Sequence, residues 1–467
     1  MNSPRIEVPC PARAQSLGLF PILLAALLVA AALLPGCASR PPQLDRPLIA
    51  DLTTLPQDAG AYLEPDTATL PLIPGEQQAR LVEDYLTRHF APWQRNQPEN
   101  GPDKVFRLLD NYDSATFRAE NKRQRPPSWI EEMRLLAAPE SFPNAGLPAI
   151  TTVNTDMRVL PTHRPLFRDF NQAGEGYPFD YNQNTAVWAQ TPLFVSHISS
   201  DGAWALVETS TVYGWLPMRD IAMVDEAFMD AFITSNAVTF TADFVPVSDG
   251  FGLHRFDGRI GTLLPQVGTA PGTFDVLLAV RDSTGRAVLS SAEISADDAA
   301  PFPLEPTPVN FARLTNVFLG QAYGWGGMYG NRDCSAMVLD MFAPFGIWQP
   351  RNSKQQADFW GLTSLEGLDH EAKLNLIHEN ARPWLTLLWK PGHIMLYIGE
   401  WEGRPVILHT TWGLKTKVGK GYGRYVIGQT VITSLEPGED LPDLARPDGN
   451  LLYLMRGMAR VAPGEGN

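Results

Sequence analysis

The sequence predicts a multidomain α+β protein: a short helical unit, two small β-barrels and a C-terminal mixed α/β domain. The chain has 467 residues, too many for one ordinary domain. It has 41 prolines and 38 glycines, which indicate many turns between short strands, and its 44% hydrophobic residues suffice for packed cores. The formal net charge of -14 leaves no basic excess to neutralise phosphates, so nucleic acid is not an expected partner.

Residues 1–36 have the features of a bacterial export signal. Two arginines precede an apolar run at 17–34, and small residues follow it. The run has 18 residues, so a retained transmembrane helix is the alternative. The motif Leu34-Pro35-Gly36-Cys37 resembles a lipobox, although Pro35 stands where a small residue is usual. We therefore expect Cys37 to be acylated and to anchor the chain on the periplasmic side of a membrane, and Ala38 suits the outer membrane.

Composition divides the next part of the chain into a tether and a helical unit. Residues 37–75 contain repeated prolines and are predicted to be a flexible tether. Residues 76–150 are predicted to be mainly helical, since apolar residues after Glu76 recur at helical spacing. Ser128-x-x-Glu131 has the spacing of a capping box, which predicts a further helix start.

Two β modules and a linker are predicted before the last domain. The first barrel is assigned to 151–228, where Asp201-Gly202 between two β-prone runs predicts a hairpin. The second is assigned to 229–300, and its segment 274–291 is predicted to form two strands around a loop. Proline-rich residues 297–308 are predicted to be a linker, and residues 309–460 form the mixed α/β domain.

Cys334 is the cysteine that needs an explanation. Cys10 leaves with the signal and Cys37 carries lipid, so Cys334 has no partner for an internal disulfide. It begins an apolar, helix-compatible run and follows Asp333, a favourable N-cap. The first N–H groups of a helix stabilise a thiolate and could also stabilise an oxyanion. We interpret Cys334 as a nucleophile; a buried structural cysteine is the alternative.

A nucleophilic thiol needs a base oriented by a third polar group. His393 and His409 stand in strand-like segments separated by a short polar turn. If this turn is centred on Trp401, the two histidines face each other directly, about 5 Å apart at Cβ. A one-residue slip would place them on opposite faces. Zinc bound by Cys334 and both histidines competes with this interpretation, but C-x-x-C and H-E-x-x-H spacings are absent and we expect no metal or cofactor.

Four motifs in this order resemble the NlpC/p60 cell-wall cysteine peptidases, papain-like enzymes that cut peptidoglycan stem peptides: YGWGG…DCSAMV, PRNSKQQ, PGHIMLYIG and VILHTTWG. The resemblance implies a papain-like fold for 309–460 and bacterial SH3 domains for the two barrels. It implies Cys334 as the nucleophile, His393 as the base and His409 as the orienting group. Tyr323 would lie beside the thiol.

The same resemblance implies a set of substrate-binding residues. Asp333 would hold the substrate's N-terminal amine, and Ser335 and Ser353 would help bind the γ-D-glutamyl unit. Tyr213 of the first barrel would border the active site, with a barrel-core aromatic as the alternative. Relatives often carry Arg-Asp-Ser where this chain has Arg351-Asn352-Ser353, so one family carboxylate is missing here.

These inferences predict a lipid-anchored endopeptidase that hydrolyses the γ-D-glutamyl–meso-diaminopimelate bond of peptidoglycan or of free murein peptides. Cys334 would attack, His393 would carry the proton, and water would release a thioester intermediate. Free N-terminal L-Ala would be required if the barrels and the helical unit wall in the cleft. Two alternatives are a non-catalytic wall-binding lipoprotein and an N-acetylmuramoyl-L-alanine amidase.

Overall fold

A computed structural model describes residues 46–462, so the predicted signal segment at 1–36 and the predicted lipidation site Cys37 lie outside the described residues. The described residues from Leu48 onward form one compact unit. Between residues 46 and 462, no helix is both long enough and apolar enough to cross a bilayer.

Residues 48–75 are packed against the C-terminal domain, so the tether predicted over 37–75 is wrong for this part. The segment contains helix α1 (Asp51–Thr54) and a 3-10 turn (Ala59–Tyr62). Ile73 is buried in the core of the C-terminal domain. The Gln57 amide exchanges two hydrogen bonds with the backbone of Ile432, at 2.8 and 3.0 Å. Proline favours extended backbone whether it is free or bound, so composition could not distinguish a tether from a packed strap.

The predicted helical unit follows. Its elements are α2 (Gly75–Phe90), α3 (Pro102–Val105), α4 (Arg107–Asp110) and α5 (Pro127–Ala137), with 3-10 turns at Ala91–Gln94 and Pro139–Ser141. The helix predicted after Ser128 is present, but its predicted capping box is wrong, because the N-cap is Pro126, two residues earlier, and α5 begins at Pro127 without a side-chain cap. Proline fits the first helical position, since it needs no N–H partner there and its φ is already helical.

The first β module is a seven-stranded antiparallel sheet in the order β3-β2-β6-β5-β4-β1-β7. Its strands are β1 (Leu147–Thr151), β2 (Thr155–Arg158), β3 (Gln183–Val187), β4 (Pro192–Ile198), β5 (Trp204–Glu208), β6 (Tyr213–Pro217) and β7 (Ile221–Met223), with a 3-10 turn at Met218–Asp220. The hairpin predicted at Asp201-Gly202 is confirmed, because β4 and β5 pair on either side of it. Gly202 has φ +71°, which glycine adopts without strain.

The second β module has a five-stranded sheet, β13-β12-β11-β8-β14, and a two-stranded sheet, β10-β9. After α6 (Glu226–Phe232) come β8 (Ala237–Phe240), β9 (Val245–Ser248), β10 (His254–Gly258), β11 (Leu263–Ala270), β12 (Thr273–Arg281), β13 (Ala287–Ser295) and β14 (Ala299–Phe302). The two strands predicted within 274–291 are confirmed. The linker predicted at 297–308 is partly wrong, because β14 pairs along its length with β8. As an edge strand, β14 tolerates Pro301.

The C-terminal domain packs helices against a six-stranded antiparallel sheet in the order β15-β20-β16-β17-β18-β19. The helices are α7 (Pro308–Phe318), α8 (Cys334–Phe342), α9 (Ser353–Phe359), α10 (His370–Asn380) and α11 (Leu451–Leu454), with 3-10 segments at Trp325–Gly330 and Ala343–Phe345. The strands are β15 (Thr363–Ser364), β16 (Thr386–Lys390), β17 (His393–Trp401), β18 (Arg404–Val418), β19 (Gly421–Ser434) and β20 (Gly457–Arg460). Met337 of α8 and Ile394 and Leu408 of the sheet share one core, which fixes the helix against the strands that carry His393 and His409.

Candidate active site

Cys334 is the first residue of α8, as predicted, and Asp333 is the N-cap. The Asp333 carboxylate accepts a hydrogen bond from the Ala336 amide at 2.8 Å. The glycine-rich loop before it lies against the first barrel. A Cβ on Gly327, which has φ +81°, would overlap the backbone of Ala186. This close approach explains the glycine and holds the start of α8 beside the barrel.

The Cys334 thiol is largely buried, with 8% exposure. Burial, followed by the neighbouring Asp333 carboxylate, raises the pKa of Cys334 to about 11. The Ile394 amide donates towards the sulfur and, with the charges of Arg351 and Lys390, opposes this rise. The expectation that the helix start lowers the thiol pKa is therefore wrong for this enclosed site, because desolvation and the adjacent Asp333 carboxylate raise that pKa. The thiol is protonated at neutral pH.

His393 and His409 form a hydrogen-bonded pair. The distance between His393 Nε2 and His409 Nδ1 is 2.9 Å, and the second ring nitrogen of His409 lies 3.2 Å from the Thr433 hydroxyl. Burial is the main cause that lowers both pKa values, that of His409 to about 3 and that of His393 well below 6.5; the charge of Lys390 adds to both effects. Both rings are consequently neutral at physiological pH, and His409 fixes the tautomer of His393.

The strand register between the histidines differs from the predicted one. The turn is Glu402-Gly403, and Trp401 pairs with Arg404, so the predicted centring on Trp401 is wrong. Carried through unchanged, the register next to this turn would place the histidines on opposite faces. A β-bulge at Ile398 shifts the register, so that Tyr397 faces Ile407. Both imidazoles therefore project from the same face, as diagonal rather than direct neighbours, with ring centroids 5.2 Å apart.

Asp333 lies in a saturated polar cluster. Arg351 Nη2 donates to Asp333 Oδ2 at 2.7 Å and Arg351 Nη1 to Oδ1 at 3.1 Å. Gly326 N, Ser335 Oγ and Ala336 N complete five contacts to this carboxylate. Although burial opposes ionisation, Arg351 holds the pKa of Asp333 below its usual value. A carboxylate offers about four lone-pair sites, so Asp333 has little capacity for a substrate amine, and its predicted role stays a prediction.

Arg351 and Gln356 explain the PRNSKQQ motif. Arg351 also donates to Ser335 Oγ at 2.8 Å and, across the domain boundary, to Thr185 Oγ1 at 2.7 Å. Gln356 donates to the Ser335 carbonyl at 2.9 Å. Ser335 thus stands within the nucleophile's first helical turn. Ser353 is half-buried at the start of α9, which Gln356 ties to that turn.

The two predicted tyrosines lie in different surroundings. Burial, Asp333 and Cys334 raise the pKa of Tyr323 well above its usual value, so its hydroxyl is within electrostatic reach of the thiol. Tyr213 instead donates to the Lys104 carbonyl at 3.2 Å. It lines a groove of about 1080 Å³ whose lining includes Asn352 but neither Cys334 nor His393.

The first barrel covers one side of the candidate site. Trp325 Nε1 donates to the Asp180 carbonyl at 3.1 Å, and the Phe179 ring packs edge-on against Trp325 at 5.2 Å. Trp412 of β18 continues this aromatic wall, 5.9 Å from Tyr323. The long loop between β2 and β3 therefore closes over the loop that precedes the thiol.

The second β module holds the start of α8 from another side. Arg332 lies two residues before Cys334 and contacts Asp243 of that module at 2.5 and 3.0 Å. Arg332 Nε also contacts Asp340 of α8 at 2.6 Å, and Arg259 Nε contacts Asp243 at 3.2 Å. All four side chains are at most 3% exposed. Both β modules consequently position the candidate nucleophile.

Sequence reasoning missed two cations near the thiol, Arg351 and Lys390, and a third, Arg424, near Tyr323. Arg351 stands in a quoted motif, and Lys390 immediately precedes the Pro391-Gly392 turn, but neither position alone predicts proximity to Cys334. Arg424 lies on a hairpin strand that no motif covers. Across residues 46–462, no group of three or more His, Cys, Asp or Glu side chains is placed to hold a metal ion.

Three segments of the chain match known families. Residues 26–142 match the N-terminal NLPC_P60 stabilising domain, residues 165–217 an SH3 domain of the SH3b1 type, and residues 320–433 the NlpC/P60 family. No curated protein gives a significant match to the chain.

Solved structures resemble the chain to different degrees. An NlpC/P60 endopeptidase from Photobacterium damselae subsp. piscicida is similar with a TM-score of 0.78 and 26% identity, covering 89% of this chain and 98% of that one. An NlpC/P60 family protein from Bacillus cereus has a TM-score of 0.45 and 16% identity, over 68% of this chain and 100% of that one. The predicted fold class is confirmed, with a papain-like C-terminal domain and the SH3 match on the first barrel.

Proposed function

We propose that the chain, whose residues 320–433 match the NlpC/P60 family, is a peptidoglycan stem-peptide endopeptidase. It would hydrolyse the bond between γ-D-glutamate and meso-diaminopimelate. The observation that carries this proposal is the meeting of α8 and β17. The Cys334 sulfur at the start of α8 accepts a hydrogen bond from the Ile394 amide. Ile394 directly follows His393 in β17, and His393 is hydrogen-bonded to His409.

The proposed chemistry is acyl transfer through a thioester. His393 Nε2 is engaged by His409, so Nδ1 is the ring nitrogen that accepts the Cys334 proton as sulfur attacks the γ-carbonyl carbon. The amides of Cys334 and Ser335, at the start of the helix, would stabilise the oxyanion. His393 then returns the proton to the leaving amine. Water, deprotonated by His393, hydrolyses the thioester and regenerates the thiol.

We further propose that the protein acts on free stem peptides in preference to intact sacculi. The Phe179–Trp325 contact and the Arg351–Thr185 hydrogen bond support this preference, because they close the first barrel against the site. A requirement for free N-terminal L-Ala would then follow from enclosure rather than from Asp333. Assays that compare L-Ala-γ-D-Glu-meso-diaminopimelate, its N-acetylated form and purified sacculi test this, and equal turnover of all three would contradict it.

Replacement of Cys334 by Ala and by Ser tests the reaction itself. We expect both variants of the full chain to lose hydrolysis of the tripeptide, and mass spectrometry of the wild-type products should find L-Ala-γ-D-Glu and free diaminopimelate. Unchanged turnover by Cys334→Ala would contradict the proposed enzymatic function and favour a non-catalytic wall-binding protein. Release of intact stem peptide from muramyl-peptide would instead favour an N-acetylmuramoyl-L-alanine amidase.

We also propose that Cys37 carries lipid and anchors the protein on the periplasmic side of the outer membrane. The lipobox-like motif at 34–37 supports this. Labelling with a clickable palmitate analogue should mark the wild-type chain and not Cys37→Ala, and sucrose-gradient fractionation should place the wild type with the outer membrane. Equal labelling of both proteins would contradict the proposal.

A further inference from the structure

Three neighbouring strands of the C-terminal sheet carry a hydrogen-bond relay formed by the side chains of His393, His409 and Thr433. These residues lie on β17, β18 and β19, which are adjacent in the sheet. Val431 stands directly opposite His409, so Thr433, two residues further along β19, is a diagonal neighbour on the same face. The contact between the two imidazoles is 2.9 Å, and that between His409 and Thr433 is 3.2 Å. His409 and Thr433 are fully buried, so bulk solvent does not reach their contact.

The hydroxyl at the end of the relay has an acceptor of its own. Thr433 Oγ1 donates to the Ser434 carbonyl oxygen at 2.9 Å. A carbonyl oxygen only accepts hydrogen bonds, and a hydroxyl has a single proton. Since that proton is directed to Ser434, the Thr433 oxygen offers His409 only its lone pairs. His409 Nε2 must therefore carry the proton of its contact with Thr433.

The direction of this bond determines the tautomers of both histidines. Both rings are neutral, and a neutral imidazole has one N–H. With the His409 proton on Nε2, its Nδ1 is an acceptor, so the 2.9 Å contact requires a proton on His393 Nε2. His393 Nδ1 is then free of a proton. This is the state in which the ring accepts the proton of Cys334.

The opposite direction of the relay would disable the base. If Thr433 donated to His409 Nε2, the His409 proton would lie on Nδ1 and would be donated to His393 Nε2. His393 would then carry its single proton on Nδ1 and would have no lone pair there for the thiol proton. This arrangement also deprives the Ser434 carbonyl of its hydroxyl donor, so the relay makes two hydrogen bonds instead of three. The contact between Thr433 and Ser434 thus favours the arrangement that catalysis needs.

The packed segment 48–75 holds the part of β19 that carries this hydroxyl. β19 is an edge strand of the sheet. Gln57 bonds to the amide and the carbonyl of Ile432, at 3.0 and 2.8 Å. Asp51 Oδ2 accepts from the Ser434 amide at 2.7 Å. The residues on both sides of the threonine are therefore fixed, which opposes fraying of the edge strand and keeps the hydroxyl in place.

We propose that Thr433 is a positioning residue that sets the direction of the relay and so keeps His393 Nδ1 free of a proton. This inference rests on the proposed function, since it assigns a role in that reaction to a residue that acts only through His409. It also gives the segment 48–75 a part in the reaction, through the contacts of Asp51 and Gln57 with β19.

The tautomers are measured without substrate, from the ¹⁵N chemical shifts of the imidazole nitrogens in the full chain labelled with ¹⁵N-histidine. His393→Asn and His409→Asn assign the signals. In the wild type we expect both rings to be protonated at Nε2. Thr433→Val keeps the shape of the side chain and removes the hydroxyl, so His409 should become a mixture of the two tautomers. A wild-type His409 protonated at Nδ1 would overturn the proposal.

Hydrolysis of L-Ala-γ-D-Glu-meso-diaminopimelate gives the second measurement. Thr433→Val should lower kcat about five- to tenfold, as the loss of one neutral hydrogen bond would, and should leave KM unchanged. Thr433→Ser retains the hydroxyl and should retain most of kcat. Thr430→Val is the matched control, because Thr430 is also buried on β19 but on the opposite face, where its hydroxyl contacts that of Thr410 at 2.7 Å. This control should leave kcat unchanged.

The remaining outcomes separate the possible failures. Wild-type kcat in Thr433→Val, or an equal loss of kcat in Thr430→Val, would overturn the positioning role and leave the proposed function intact. A wild type with the expected tautomers that does not hydrolyse the tripeptide would support the direction of the relay and contradict the proposed function. Melting curves identify any variant that fails to fold. If Thr433→Val is such a variant, the wild-type tautomers still decide the direction of the relay.

Discussion

Both terminal nitrogens of Arg351 contact the carboxylate of Asp333, the residue directly before the candidate nucleophile, at 2.7 and 3.1 Å. Arg351 Nε extends the same side chain to Thr185 of the first barrel. One arginine thus caps the polar cluster under Cys334 and joins two domains. A bidentate pair of this kind fixes orientation as well as distance, which makes Arg351 a positioning residue for the start of α8.

Replacement of Arg351 by Met should destabilise the protein by about 3–5 kcal/mol, the usual cost of leaving one partner of a buried ion pair unpaired. Urea unfolding monitored by tryptophan fluorescence measures the change. Lys354→Met is the matched control, since Lys354 pairs with Asp358 on the exposed face of α9. We expect this control to cost about 0.5 kcal/mol or less, and equal losses in both variants would contradict the role of Arg351.

Asp243→Asn should weaken the attachment of the second β module to the start of α8. Despite the opposing effect of burial, Arg332 and Arg259 hold the pKa of Asp243 far below its usual value. Because the pKa of Asp243 is lower in the folded protein than its value of 3.8 in the unfolded chain, the ionised carboxylate stabilises the folded protein above pH 3.8. This stabilisation is lost as the pH falls through the folded-state pKa.

The free energy of unfolding of the wild type should therefore exceed that of Asp243→Asn by about 3–5 kcal/mol at pH 7. This difference in unfolding free energy should shrink as the pH falls below 3.8, the pKa of Asp243 in the unfolded chain. Urea titrations across this range measure it, with the exposed Asp257→Asn of the same module as control. A gap that stays constant down to pH 2 would show that the Asp243 charge is not its source.

His409→Ala should reduce kcat by about 10²–10⁴-fold, the range that a positioned acid–base system contributes. The 2.9 Å contact to His393 is then lost, and nothing fixes the tautomer of the base. His409→Asn should retain part of the activity, because an amide can still hydrogen-bond to the ring. His378→Ala removes an exposed histidine that contacts Glu400, and it should leave kcat unchanged. Full activity in His409→Ala would exclude an orienting role.

The acid limb of the kcat/KM profile should lie well below pH 6.5. Burial, together with His409 and Lys390, disfavours protonated His393, so the base stays available as the solution becomes more acidic. Lys390→Gln removes one of these opposing charges. The pKa of His393 should rise, and the acid limb should move to higher pH. Lys420→Gln, which removes an exposed cation at the turn between β18 and β19, should not shift the limb, and a wild-type limb at or above 6.5 would contradict the effect of burial.

Local sequence patterns predicted much of the site. An apolar run after an N-capping aspartate places Cys334 at a helix start, because capping and periodicity act within a few residues. Asp201-Gly202 predicted its hairpin for a similar reason, since the short connection needs a positive φ that Gly202 supplies. The order of the motifs around Cys334, His393 and His409 also predicted the family.

Features that depend on contacts distant in sequence escaped prediction. Residues 48–75 look like a tether until the Gln57–Ile432 contacts are known, and 299–302 look like a linker until β8 pairs with them. The direction of the Cys334 pKa shift depends on how much of the fold buries the thiol. Lys390 comes beside His393 only because β16 pairs with β17.

The sequence alone determined which residue begins the nucleophile helix and which two histidines accompany it, because these choices are written in short-range pattern. Tertiary structure decided whether the histidines meet. The β-bulge at Ile398 shifts the pairing of β17 with β18 by one residue, and His393 and His409 therefore project from the same face of the sheet. Tertiary structure also decided the charge around the thiol, because desolvation and the approach of distant cations exist only after the chain has folded.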